Sequence, residues 1–205
     1  MVNIQTLEQI SEEEVIANFL KAEIDSKRFG KRIHNILKED KKSKNIIISP
    51  DLNNKQENRY RKELLGKIRG FGRNKDFFEN FPKDIKWCKA IIEREKLKKV
   101  KYIDYSYWNE LSNGTRLPIK AVKNIKSGVE VFGVSNKGFI EILSKIKKGI
   151  TFLPMIFVAK NKRSQLVVLE GHARLTAYFL EPKYIPKTIK VIIGYSNKIN
   201  NWDFY

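Results

Sequence analysis

The sequence predicts an α+β fold. Three observations carry that prediction: a capped amphipathic stretch opening at Ser11, an apolar run at residues 166–169, and a glycine break at Gly171 from which an apolar-periodic segment runs to Leu180. Helical spacing and short continuous apolar runs are the two periodicities that separate helix from buried strand.

Ser11-Glu12-Glu13-Glu14 has the Ser-x-x-Glu form of a capping box. Val15, Phe19, Leu20, Ala22 and Ile24 then place an apolar stripe at helical spacing. Residues 31–39 read as a second helix with Ile33, Ile36 and Leu37 inward, and His34 beside that face is expected to be structural. After a charged break at 38–44, residues 45–50 (Asn-Ile-Ile-Ile-Ser-Pro) read as a strand or extended piece stopped by proline.

Residues 55–75 hold eight basic side chains against Glu57 and Glu63, a net of six positive charges. A basic helix there ends in a glycine-rich loop, Arg69-Gly70-Phe71-Gly72-Arg73, flanked by Phe77, Phe78 and Phe81. The loop begins like an RNA-recognition box but fails after four residues and follows a helix, so that reading is rejected. Arg59, Arg61, Lys62, Arg69 and Arg73 are the expected phosphate contacts to DNA or RNA, while the phenylalanines are expected to anchor the loop on the core. Residues 85–92 fit a strand or a helix, and 93–99 a short charged helix. Residues 129–132, between two glycine turns, read as strand or loop, and Trp202 and Phe204 in the tail are placed to pack back on the body.

Residues 166–180 carry the chemistry. Strand, glycine turn, helix is a geometry that presents unpaired main-chain N–H groups to an anion. Gly171 permits close approach, and Arg174 lies in the first helical turn with a fork suited to phosphate oxygens. The same pattern also occurs as plain turn chemistry with a solvated arginine.

Residues 139–149, 153–158, 166–180 and 189–193 together resemble the ParB/sulfiredoxin-like superfamily, over about residues 100–196. That family runs helix, strand entered through proline, hairpin, strand, Gly-x-x-Arg box, helix and closing strand. The resemblance implies a mixed sheet flanked by helices and a nucleoside phosphate held against Glu170, Gly171, His172 and Arg174. It divides the chain into a mainly helical basic region, 1–99, and a nucleotide-binding core, 100–205.

The box is most similar to the Asp-Gly-His-His-Arg form of the free-serine kinases, with Ala173 in place of the second histidine. Sulfiredoxins place a catalytic cysteine where His172 stands, so sulfinic-acid repair is not implied. Partition ParB proteins carry Glu and Arg at the places of His172 and Ala173, so their manner of binding CTP is not implied either. The resemblance implies ATP or CTP with Mg²⁺, and NTP hydrolysis or phosphoryl transfer. His172 would coordinate or relay a proton, and Glu110, in the loop after the first family strand, would act as base or hold Mg²⁺. Arg116, on a donor-rich turn, would face the same pocket. A non-catalytic DNA- or RNA-binding role through 55–75 is the alternative.

Composition bounds these readings. A single cysteine, Cys88, excludes a disulfide framework, and two histidines argue against a multi-histidine metal site. No apolar run approaches the roughly 18 residues needed to span a bilayer. The N-terminus lacks a basic stretch followed by an apolar one, so the expectation is a cytoplasmic protein without a membrane partner. A net charge of +18 attracts polyanions. Of 41 basic residues 31 are lysine, which an A+T-rich coding bias would also produce.

Overall fold

Strand burial on both faces organises the molecule, which a computed structural model describes over residues 4–205. The chain runs β1 (Ile4–Ile10), α1 (Glu12–Glu23), α2 (Gly30–Glu39), α3 (Asn45–Ile48), α4 (Lys55–Arg69), β2 (Lys86–Glu93), α5 (Arg94–Leu97), α6 (Ser106–Leu111), α7 (Pro118–Lys126), α8 (Lys137–Lys147), β3 (Met155–Ala159), β4 (Val167–Glu170), α9 (His172–Leu180) and β5 (Thr188–Tyr195). The strands form one mixed sheet in the order β1-β2-β5-β3-β4. Only the β3–β5 pair is parallel among the strand pairs.

All five residues of β3 are buried, as expected of a strand covered on both sides. Alternate residues feed two cores. Ala90, Phe157, Val168 and Val191 face the layer containing α7, α8 and α9; Ile156, Val158, Leu169 and Ile192 face the layer containing α1, α2 and α4. The molecule is therefore an α+β sheet with helices on both faces, and the sheet crosses the expected boundary at residue 99. Strands β1 and β2 come from the first hundred residues and join β5 from the last twenty.

Local chemistry explains the helix ends. Ser11 Oγ accepts from the Glu14 N–H at 3.2 Å, and Asn54 Oδ1 accepts from Gln56 and Glu57 at 3.1 Å, so α1 and α4 have side-chain N-caps. Helix α4 ends at Gly70, with φ 85°, where a Cβ would lie 2.0 Å from the Lys75 carbonyl oxygen. No other residue type fits that turn.

Several expectations need correction. Residues 45–48 form a helical turn, because its Ile46 carbonyl accepts a hydrogen bond from Arg61 at 2.9 Å and Ile47 is buried in the second core. The ambiguous segment 85–92 resolves as β2. In residues 100–110, the segment that resembles the family's first strand and the loop after it, the strand is reduced to a single bridge, Lys101 to Val167, on the outer side of β4. Residues 131–133 form a 3-10 turn. His34 is exposed, with Nε2 3.9 Å from Asp25. The phenylalanine anchor is observed: Phe71 and Phe78 are buried in the second core and Phe77 and Phe81 pack against it. Among the described residues no helix is long and apolar enough to cross a membrane.

Gly70→Ala should destabilise the protein by at least about 2 kcal/mol, since it adds a steric clash to a left-handed backbone. Urea unfolding measures it; a midpoint equal to wild type would contradict the turn geometry.

Candidate functional site

Strand β4 ends at Glu170, and the chain reverses direction at Gly171, whose φ is 102°. A Cβ at this position would lie 2.6 Å from Met155 Cγ. Glycine is required both for the left-handed backbone and for close packing beneath β3. Helix α9 begins immediately afterwards with no side-chain cap on its first turn. The amides of residues 172–174 therefore keep the donor character of an uncapped helix N-terminus.

Arg174 does not point its fork at an open socket. Its guanidinium donates to the Leu153 carbonyl and to Glu170 Oε2, and both side chains of that pair are nearly buried, at 10% and 13% exposure. The expected phosphate-binding arginine is thus a brace. It ties the first turn of α9 to the end of β4 and to the loop entering β3.

His172 packs into an aromatic stack. Its ring lies nearly parallel to Trp108 (5.1 Å, 16°), and Trp108 stacks on Tyr102 (4.4 Å, 25°). Tyr102 is fully buried, and its hydroxyl is 2.6 Å from Thr176 Oγ1. Thr176 donates its one hydroxyl proton to the His172 carbonyl at 2.8 Å, so Tyr102 must donate to Thr176. That relay fixes the main chain of the box. The imidazole Nε2 is buried and has no hydrogen-bond partner. Burial, then the positive fields of Arg69, Arg28 and Arg174, push its pKa down to about 3, so the ring is neutral at physiological pH.

Two of those arginines come from the opposite layer. The Arg69 guanidinium, at the end of α4, lies 4.2 Å from the Phe77 ring centroid and 4.6 Å from that of Phe29. Arg28 also lies over the Phe29 ring, 5.0 Å from its centroid. Burial lowers the Arg69 pKa to about 10, opposed first by Glu23, and Glu170 also acts on it. Burial likewise raises the Glu23 pKa, opposed by Arg69 and by a hydrogen bond from Ser26. Two direct contacts join the layers near the box: Asn18 Nδ2 donates to the Pro154 carbonyl at 3.2 Å, and Lys27 pairs with Glu141 of α8 at 3.0 Å. The fields of Arg69, Arg28 and Arg174 thus reach His172, and those of Glu23 and Glu170 reach Arg69.

Other expected site residues lie elsewhere. Glu110 is exposed on α6. Trp108 faces the box, and residues two apart on a helix point to nearly opposite sides, so Glu110 faces away. Arg116 holds the C-terminal segment: Nε donates to the Tyr102 carbonyl at 2.9 Å and a terminal nitrogen to the main-chain oxygen of Tyr205 at 2.6 Å. Arg61 is fully buried and donates to the carbonyls of Ile46 and Asp51, so it is unavailable to nucleic acid. Arg59 is exposed and paired with Glu63 at 3.0 Å, and Lys62 is paired with Glu12. Arg73 is exposed beside Gly66. Of the basic set, Arg69 alone is coupled to the box.

Sequence reasoning missed Glu23, Arg28 and the Tyr102–Thr176 relay. Glu23 and Arg28 carry no local signal. Two shallow depressions, of about 370 Å³ beside Glu93 and Lys187 and about 260 Å³ beside Ile16 and Arg59, include no box residue. Among the described residues no group of three or more His, Cys, Asp or Glu side chains is arranged to hold a metal.

Arg174→Ala should destabilise the protein by about 3 kcal/mol, because it strands the Glu170 carboxylate. Removing Glu170 as well should recover part of the loss; an Arg174→Ala melting curve equal to wild type would contradict the brace. A histidine whose native pKa is depressed is lost as a stabilising group as pH falls from its unfolded value near 6.5 toward about 3, because the unfolded chain then binds the extra proton. Stability should therefore fall on acidification below pH 6.5, and His172→Phe should flatten that fall between pH 6.5 and 5. Parallel pH profiles for the two proteins would contradict a neutral buried ring.

No family model, curated protein or solved structure matches this chain.

Proposed function

We propose that this chain is a nucleotide-binding protein of the ParB/sulfiredoxin-like class, holding the phosphates of ATP or CTP at Gly171, His172 and the first turn of α9. The observation that carries the reading is the buried, unpartnered Nε2 of His172 beside an uncapped helix N-terminus, in the field of three arginines. A buried polar atom without a partner is costly unless something supplies one. An anionic oxygen, accepting from Nε2–H and the α9 amides, supplies it and offsets the excess guanidinium charge. The order α8, β3 after Pro154, β4, box, α9, β5 supports the class, since it follows the family's order of elements.

The chemistry this site favours is positioning and charge compensation, as in NTP hydrolysis or phosphoryl transfer. A neutral imidazole with so low a pKa is a weak base, so His172 acts as a hydrogen-bond partner of phosphate rather than a proton relay. Magnesium fits as an ion carried in on the nucleotide phosphates, which is how it usually arrives.

DNA or RNA binding through 55–75 is the less supported reading. Arg61 is buried, and Arg59, Lys62 and Lys67 are each ion-paired within the protein.

Calorimetric titration with ATP and CTP, with and without Mg²⁺, tests the proposal. A nucleotide at a hundred times its Kd should stabilise the fold by about 2.7 kcal/mol and raise the melting temperature by several degrees. His172→Phe should weaken binding at least tenfold. Retention on nucleic acid with a steep salt dependence, and no heat with any mononucleotide, would favour the polyanion reading instead.

A further inference from the structure

Phe132 is the most exposed large apolar residue among those described, at 68%, and it stands on a backbone that phenylalanine rarely adopts. Its φ is 52° and that of Gly133 is 70°, so both central residues of the turn from Val131 to Val134 are left-handed. The Val134 N–H closes the turn on the Val131 carbonyl at 2.9 Å. Mirror-image turns of this kind ordinarily take Asn, Asp or Gly at those places. Among the described residues seven other than glycine have positive φ, and Phe132 is the one apolar side chain in that set. A strained position filled by an exposed aromatic points to a use outside the fold.

The loop around it is fastened at its base and bare at its tip. Asn136 Nδ2 donates to the Val129 carbonyl at 2.7 Å, and the Val129 N–H donates to the Asn124 carbonyl at 3.0 Å. Val131 is buried in the core shared with α7, α8 and α9 and anchors the turn. The rest of residues 126–135 is exposed. A Cβ at Gly128, Gly133 or Gly138 would meet nothing within 4 Å, so the loop stands clear of the body. Val129 and Val134 are exposed on either side of Phe132, and Ile140 is exposed one turn into α8. Neither of the two surface depressions includes any of these four residues. Their apolar atoms are carried outward on a tip, not gathered in a groove.

Charge identifies the surface that meets this tip. Residues 118–148 carry seven lysines, all exposed, against Glu130 and Glu141. Glu141 is paired with Lys27, and Glu130 accepts from the Asn136 N–H at 3.4 Å. Of the seven lysines, Lys147 alone is ion-paired among the described residues, with Glu181. A second copy of the chain would bring the same lysines and a net charge of +18 against them. Anionic headgroups complement them instead, and acyl chains receive a projecting aromatic without a matching pocket. Long lysine stems lie along the apolar boundary and keep their ammonium groups among the headgroups.

We infer that residues 128–134, with Phe132 at the tip, dock this protein on an anionic lipid surface, the lysines of α7 and α8 binding the headgroups. The attachment is peripheral and is independent of the nucleotide reading. The lack of an apolar run long enough to span a bilayer does not bear on a loop that enters only to the headgroup boundary.

Flotation of the full chain with vesicles of phosphatidylcholine alone, and of phosphatidylcholine with phosphatidylserine, tests the inference. Wild type should float with the anionic vesicles and stay behind with the neutral ones. Phe132→Asn suits the left-handed turn and leaves every charge in place, so its urea midpoint should equal or exceed that of wild type. Its affinity for anionic vesicles should nevertheless fall at least about tenfold. Equal affinity would overturn the inference by leaving lysine attraction alone, and so would wild type that floats with neither vesicle or equally with both. Phe132→Trp gives a second reading that does not depend on the folding of the first variant. Its added tryptophan should be quenched by bromine-labelled acyl chains, beyond any quenching of Trp87, Trp108 and Trp202 in wild type. Bound protein without that added quenching would place the tip outside the bilayer and overturn the inference.

Discussion

The backbone at residue 171 is left-handed, and the Met155 side chain fills the space where a Cβ would stand. That steric condition sets the direction in which α9 leaves β4, and the remaining features of the box depend on it. It places His172 against Trp108 and brings Arg174 back onto Glu170. The helix start stays free of a side-chain cap because glycine has none to offer. Since β3 carries Met155 and is buried on both faces, the turn is held by the best-packed strand in the sheet.

Arg174 and Arg69 were both expected as phosphate contacts, and both are held by the protein's own side chains. Arg174 is in the right turn of the right helix but is neutralised by the carboxylate one turn before it. Arg69 lies a hundred residues away in sequence, without an ion pair, and held by aromatic rings. The difference lies in desolvation. A nearly buried guanidinium beside a carboxylate forms a pair, while one caged by phenylalanine retains an unsatisfied charge.

What the sequence revealed and concealed follows from the range of the interactions. The strand at 167–170 and helix 172–180 were legible from an apolar run broken at glycine and an apolar-periodic segment after it, while the strands at 155–159 and 188–195 were expected from the resemblance alone. Strand β1 was not, because five of its seven residues are exposed and its pairing partner lies some eighty residues away. The three isoleucines at 46–48 read as strand on propensity, and packing against α4 made them a helical turn. At the site, Gly171 and His172 were legible because strand, glycine and helix are local. Glu110 was placed at the site by the resemblance alone, and on α6, two residues from Trp108, it falls on the far side of the helix. Arg69 was noticed only as one of a basic series, since its coupling to the box exists only once two layers have packed on one sheet.

The central claim is that a phosphate oxygen meets His172 at the start of α9. With only two histidines in the chain, the imidazole nitrogens of His34 and His172 can be followed separately by ¹⁵N–¹H NMR during a titration with ATP. The account predicts a saturable shift of His172 Nε2, together with the amides of residues 172–174, while His34 stays unmoved. Saturable binding that leaves His172 and those amides unchanged would contradict it.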